Sequence, residues 1–525
     1  MSITYWQLQA LAPLGIIALA PLVLVLADAI FMGEGKRARE RSLGPLKGSA
    51  LASVAGVLLL AALAVASSNF EKAHGAIALA HSMFVVDRTA SYAIALLCCG
   101  GLLTLWLSQG FLTTRSIHHG EYYPLLLLSI AGALALVCAG NLISLFVAIE
   151  MMTLPVYVLV GFDRNKRSGR YAGMSALLTG VFASAISLYG IALIYGATGH
   201  FDYPGIRAAM DGASSAAASG TGLGGMGLAG LTLLLVGVVT RQGFAPFHQW
   251  LPDLTAAAPG PVALCIPTTL AVASAFALMR LLDLIAPTAL PNFNSLLALL
   301  AGFTMVVGSL MALVQSNVKR LLAYGGIAQA GFFLAALIVR TPEARSATLF
   351  HITVFLFMQA GALGAISAMA RRAKEWDSVS DYAGLAELRP VLAAVMTLFF
   401  LALAGLPGTS GFVSRFVVLS VVIGSDQPLL ALVMTIASVV LFAAYLRVPT
   451  AMYMGRGSTG EAEDLPLASV LALSICALAS VYFGLFPGPG PIPFEILEIV
   501  QRAVQPSRVC SRLHVTGMCF AVHGS

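Results

Sequence analysis

Residues 141–162 read NLISLFVAIEMMTLPVYVLVGF. About 20 apolar residues in a helix span the hydrocarbon of a bilayer, and this run is long enough to do so. Its single charge is Glu150, near the middle. An ionised carboxylate at that depth costs about 2.5–3.5 kcal/mol on insertion scales, and more by simulation. A residue so placed needs a compensating partner and points to function rather than to packing.

The rest of the chain is of the same kind. Of its 525 residues 59% are hydrophobic and only 10% are charged, where a soluble domain carries about 25%. The mean hydropathy is +0.90. Apolar runs of about 17–25 residues give fourteen spans, near 10–32, 48–68, 89–112, 121–139, 141–162, 174–197, 228–250, 261–285, 294–315, 321–339, 346–369, 391–423, 428–453 and 465–487. The composition therefore describes an all-α, polytopic membrane protein. The first run follows no basic segment and has no small-residue cleavage site, so it reads as a retained helix.

Charge sets the orientation. Eighteen Lys and Arg residues, among them Lys36, Arg164, Lys319, Arg371 and Arg456, lie in loops after odd-numbered spans. Only Lys72, Arg88, Arg207, Arg340 and Arg345 follow even-numbered ones. The positive-inside rule places the odd loops in the cytoplasm and both termini on the periplasmic face. The net charge of +6 is accounted for in this way and does not indicate nucleic acid. The seven cysteines show no C-x-x-C spacing, and most lie in apolar runs where Cys acts as a small hydrophobe. No zinc or iron–sulfur site is suggested. The Gly-rich stretch 211–230 contains a formal G-x-G-x-x-G at Gly220, Gly222 and Gly225, but no strand precedes it. It reads as a flexible linker, not a dinucleotide site.

Two spans are interrupted: 228–250 by Pro246, and 391–423 by AGLPGTSGF at 404–412. A proline removes a helical donor, and in lipid the freed backbone must find a partner or line a cavity. A packing kink is the commoner meaning of one proline. Two breaks, each close to a basic side chain, point instead to an ion path. The ionisable residues within spans are Glu150, Arg241, His248, His351 and Arg415, with Asp28 and Arg280 nearer span ends, where snorkelling to the interface is expected. Glu and His can change charge state when their surroundings shift them. A buried His351 reads equally well as a hydrogen-bonded core residue.

These residues carry a family resemblance. GEYYPLLLLSIAGALALVCAGNLISLFVAIEMMTLPVYVLVGF (120–162) resembles the fourth and fifth helices of subunit N of bacterial NADH–quinone oxidoreductase, respiratory complex I. The likeness continues through FASAISLYGIALIYGATG (182–199), APFHQWLPDLTAAAPGPV (245–262), ALVQSNVKRLLAYGGIAQAG (312–331) and 380–416. It implies two inverted five-helix repeats, spans 4–8 and 9–13, each with a broken helix. It also implies an N-terminal part (1–115), an antiporter-like domain (116–490) and a tail (491–525). The role implied is a proton-translocating membrane subunit in a bacterial inner membrane, with other membrane subunits as partners. No redox centre is expected in this chain; NAD, FMN, iron–sulfur clusters and quinone belong to partner subunits. Glu150 stands where the family has its essential carboxylate, with a basic partner on the seventh span.

The sequence departs from the family pattern at its lysines. Arg241, Ala271, Arg415 and Ser175 stand at lysine positions, and Gln329 at a histidine position. Bringing a lysine from about 10.4 to 7 costs about 4.6 kcal/mol, whereas an arginine from about 12.5 needs about 7.5 kcal/mol. Burial covers the first and not the second. Arg241 is expected to pair with Glu150 and stay charged, so the proton path is altered and weakened. Two alternatives stay open. One is a paralogue serving a membrane-bound hydrogenase or a multisubunit cation/proton antiporter. The other is a structural subunit that does not conduct.

Overall fold

The computed structural model describes residues 5–32, 45–72, 77–79, 82–115, 120–163, 166–216, 224–284, 293–369, 376–425, 427–455 and 465–486. The tail 491–525 and half of the eighteen basic residues in the odd loops lie outside the described residues, as does the Asp28 side chain. Apolar runs become helices because lipid offers no partner for backbone polar groups, which a helix satisfies within itself. Among the described residues, twelve helices are long and apolar enough to cross a membrane. The shorter α4 (Tyr122–Val137) and the interrupted pair α16 (Pro390–Ala404) and α17 (Ser410–Ile423) complete the expected fourteen spans.

Burial sorts these spans. In the most apolar 18-residue stretch of 260–284 and of 342–369, 94% of residues are buried, against 28% in that of 7–26. The eighth and eleventh spans are thus the centre of the bundle, and the first faces outward. The eighth is itself irregular: α10 (Gly260–Cys265) passes through a π-helical turn (Ile266–Ala271) into α11 (Val272–Leu284). π segments are rare and often mark functional positions.

Two five-span units can be recognised from local chemistry. In the first, α5 (Leu142–Val160) is capped by Asn141, whose side chain accepts from the Ser144 N–H at 2.6 Å. In the second, α13 (Val318–Leu337) is capped by Asn317 through the Arg320 N–H at 3.0 Å. Such caps satisfy amides that the helix leaves open. Both asparagines also bridge to the end of the next span, Asn141 to Asp202 and Asn317 to Ser378. Helix crossings repeat as well. A Cβ on Gly132 of α4 would lie 2.3 Å from the Met152 backbone, and one on Gly308 of α12 (Phe293–Val314) 2.5 Å from that of Ala328. The pairs 132/308, 141/317, 152/328 and 202/378 share one offset of 176 positions. Because each unit has an odd number of spans, the second runs through the membrane in the opposite sense.

Some elements differ from the sequence reading. A short antiparallel hairpin, β1 (Ile77–Leu79) with β2 (Phe84–Val86), covers the turn between α4 and α5, where the Val85 N–H donates to Cys138 and the Gly140 N–H to Met83. The supposed linker 211–230 is helical at both ends: α7 (Tyr203–Ala216) runs into it and α8 (Gly224–Gln242) begins within it. Its Gly, Ala and Ser composition concealed an amphipathic helix that buries Ile206 and Met210. Arg280 does not snorkel; it pairs with Asp87 at 3.1 Å, beside the Arg345–Asp283 pair.

The close crossings are testable. Gly132→Ala and Gly308→Ala should each lower the thermal stability of the purified protein, by about 1–3 kcal/mol for overpacking. Gly225→Ala, with nothing within 4 Å of the added carbon, should not. Equal melting temperatures for all three would contradict the described packing.

Candidate functional site

Glu150 and Arg241 come together beside the first helix break. Arg241 lies in the last turn of α8, which stops where Gly243 takes φ +79° and Ala245–Pro246 is cis. The chain resumes in α9 (Trp250–Ala257). The carbonyls freed by the break are occupied: Thr240 accepts from the Trp250 indole at 3.0 Å and Val239 from the Phe244 N–H at 3.1 Å. The break holds Arg241 at a fixed depth facing α5 and α6 (Arg167–Thr198).

There Arg241 is almost fully buried and its Nη2 meets Glu150 Oε1 at 2.5 Å. Nη2 also donates to the Gly180 carbonyl at 3.0 Å and meets the Ser184 hydroxyl. Nη1 donates to Thr153 Oγ1 at 2.6 Å and Tyr157 Oη at 3.2 Å. Ser184 in turn donates to Glu150 Oε1 or to the Gly180 carbonyl, having one proton for two acceptors. A guanidinium offers five donors in a rigid fork, and this cage of acceptors fits it. The sequence reading missed Thr153, Tyr157, Gly180 and Ser184. Their signal was spacing: Thr153 and Tyr157 follow Glu150 by three and seven residues, hence on one helix face.

A second cluster occupies the other five-span unit. On α14 (Pro342–Met369), His351 is fully buried, with Nε2 2.9 Å from Gln329 Oε1 and Nδ1 3.1 Å from Ser414 Oγ. Ser414 can alternatively donate to the Gly411 carbonyl, also at 3.1 Å. With Nδ1 bare, Ser414 donates to it; with Nδ1 protonated, Ser414 accepts and turns its proton to Gly411. The hydrogen-bond pattern by itself fits either state of Nδ1.

Arg415 sits next to this cluster. It donates to the carbonyls of Ala404, at 2.8 Å, and Leu403, and lies over the Phe332 ring at 5.6 Å. Those carbonyls are the open C-terminal end of α16, which Gly405 terminates at φ +85°. A helix C-terminus carries partial negative charge and favours a cation. Arg415 thus closes the second break, a role that spacing alone could not reveal. His248 joins neither cluster; its ring stands edge-on to Tyr324, 6.1 Å away. Ala271, at the end of the π turn, brings its carbonyl to Gln242.

A bundle of inverted five-span units, each with a broken helix and one with a partly buried carboxylate–guanidinium pair, defines an antiporter-like membrane subunit. The family profile described as NADH:quinone oxidoreductase/Mrp antiporter, TM, matches residues 139–441. The chain is 34% identical over 514 residues to NADH-quinone oxidoreductase subunit N 1 of Sorangium cellulosum (strain So ce56), covering 95% of this chain and 99% of the relative. In respiratory complex I from Thermus thermophilus with bound aureothin, a chain 26% identical superposes with a TM-score of 0.73, covering 90% of this chain and 97% of that one. A chain of the Mrp complex from Dietzia sp. DQ12-45-1b, 20% identical, shares the fold with a TM-score of 0.77 over 95% of this chain and 97% of its own. The chain belongs to the NADH:quinone oxidoreductase/Mrp antiporter transmembrane family, among relatives named subunit N.

Removing one side of the buried pair should show its weight. Arg241→Leu leaves Glu150 without a counter-ion, a loss of about 3–5 kcal/mol, so the amount of folded protein in membranes should fall. The double variant Glu150→Leu/Arg241→Leu should recover part of it, because no isolated charge remains. A double variant poorer than both single ones would refute this coupling.

Proposed function

We propose that the chain is the subunit-N-type component of a complex I-type NADH–quinone oxidoreductase in a bacterial inner membrane, with both termini on the periplasmic face. In this reading electron transfer from NADH to quinone occurs in partner subunits. This chain supplies a proton-translocating unit whose titrating group is Glu150. The observation that carries it is the Glu150–Arg241 pair held beside the helix break.

The chemistry follows from the difference between the two partners. Arginine holds its proton throughout, so the proton that moves is on the carboxylate. While Nη2 meets Oε1, guanidinium and carboxylate share a charge-assisted hydrogen bond. Arg241 has other acceptors within reach: Thr153, Tyr157 and the Gly180 carbonyl. In this reading a small shift toward these acceptors frees the carboxylate, which accepts a proton at that point of the cycle. The return of the guanidinium expels it. His351, with its two-way partner Ser414, is a second station in the other unit.

Glu150→Gln keeps the volume and removes titration. The expected result is a lower proton-to-electron ratio in inverted membrane vesicles, with less assembled complex because Arg241 loses its counter-ion. A wild-type ratio with a wild-type amount of complex would exclude Glu150 from the path.

A second reading, a structural subunit that completes the membrane arm, draws support from Arg415, which is engaged by helix carbonyls. The double variant Arg241→Lys/Ala271→Lys separates the two. A conducting subunit should show a raised ratio at full yield. In a structural one the added lysine is buried unpaired, at a cost of several kcal/mol, and yield should drop.

A further inference from the structure

The loops after even-numbered spans hold only five basic residues, and three of them, Arg207, Arg340 and Arg345, converge on one place. With Arg280 they surround Asp283, each guanidinium close enough to act on its carboxylate. Here the start of α3 (Arg88–Arg115), the start of α7, the end of α11 and the start of α14 line a cavity of about 310 Å³. That size is at the lower end of ligand sites in proteins. Asp87, Tyr203, Arg207, Arg280, Asp283 and Arg345 all contribute to its wall.

The charge balance of this wall is positive. Among the described residues, two carboxylates stand against three guanidiniums, and Arg340 acts on Asp283 as a fourth. Both carboxylates are already engaged. Asp87 Oδ1 accepts from Arg280 Nη2 at 3.1 Å and from the Ala90 N–H at 2.6 Å, and Asp283 pairs with Arg345. A guanidinium carries five N–H donors, so one ion pair does not exhaust Arg280.

One group in the wall calls for an acceptor. Tyr203 Oη is shielded from solvent and has no hydrogen-bond partner in the protein. Burial raises its pKa above the ordinary phenol value, so at neutral pH it keeps its proton to donate. Arg280 lies within electrostatic reach of this hydroxyl. Buried polar groups are nearly always paired, and the pair that suits surplus positive charge beside a spare O–H is an oxyanion. A neutral ligand would leave the charge unanswered, and a cation would be repelled.

The position narrows the choice of oxyanion. Three membrane spans begin or end at this cavity (α3, α11 and α14), which sets it at the level of the lipid headgroups. Pro204, Met279 and Leu284 complete the wall with apolar surface. Arginine forks match phosphate oxygens in geometry and charge.

We propose that this cavity binds a phosphate group, held by Arg207, Arg280 and the Tyr203 hydroxyl. Neither Glu150 nor His351 takes part, so the site stands whether or not the subunit conducts protons. A phospholipid headgroup and free inorganic phosphate both present this chemistry.

The full chain, purified in detergent and stripped of lipid, can be titrated with phosphatidylglycerol and separately with inorganic phosphate. Binding is read from the ligand-dependent rise in melting temperature. Saturable stabilisation by at least one of the two is expected, with the Kd raised about tenfold in Tyr203→Phe and in Arg207→Gln. Without ligand, Tyr203→Phe should melt no lower than wild type, since the hydroxyl it loses has no protein partner. Saturation by the lipid alone supports a headgroup site, and saturation by inorganic phosphate as well supports a site for which the phosphate group suffices. No saturable effect from either, or the same Kd in wild type and both variants, would overturn the proposal.

Discussion

A carboxylate in the hydrocarbon has to be matched from within the protein, and the arrangement around Glu150 follows from that requirement. Its match is a guanidinium from a different span, 2.5 Å away. For Arg241 to reach it, α8 must end at that depth, which sets the first break. For Arg241 to be buried at all, its other donors need acceptors, which Thr153, Tyr157 and Gly180 supply. Lipid enforces this because an unmet polar group has no water to turn to.

The two five-span units share a backbone and differ in how they meet that constraint. In the first, the arginine beside the break pairs with a carboxylate. In the second, Arg415 turns back onto the open carbonyls of α16 and closes the break itself. The place corresponding to Glu150 is taken by Gly326 beside a small cavity, and His351 lies buried in that half between Gln329 and Ser414. Repetition of the fold thus does not bring repetition of the chemistry. A carboxylate–guanidinium pair and a helix-capping arginine can occupy related scaffolds.

Much of this was legible in the sequence. The fourteen spans could be counted because lipid admits only long apolar runs. Both breaks were marked by Pro and Gly, and Glu150 stood out as an isolated charge where charge is costly, while its pairing with Arg241 came from the family resemblance. What stayed hidden was made of ordinary residues. Thr153, Tyr157 and Ser184 are common in membrane helices, and only a three-dimensional neighbour distinguishes them. The π turn at 266–271 leaves no periodic signature over six residues. The helix at 203–216 was lost in small-residue composition. Arg415 was found by position, but its carbonyl partners come from residues eleven and twelve places earlier, across a break whose geometry sequence does not state.

The central claim is that Glu150 gains and loses a proton while Arg241 remains charged. Infrared difference spectroscopy of the intact complex during turnover reads this directly, since a protonated carboxyl group has its own carbonyl stretch. The account predicts a turnover-dependent carboxyl band that shifts in D2O and is missing in Glu150→Gln. The same band persisting unchanged in that variant would contradict it.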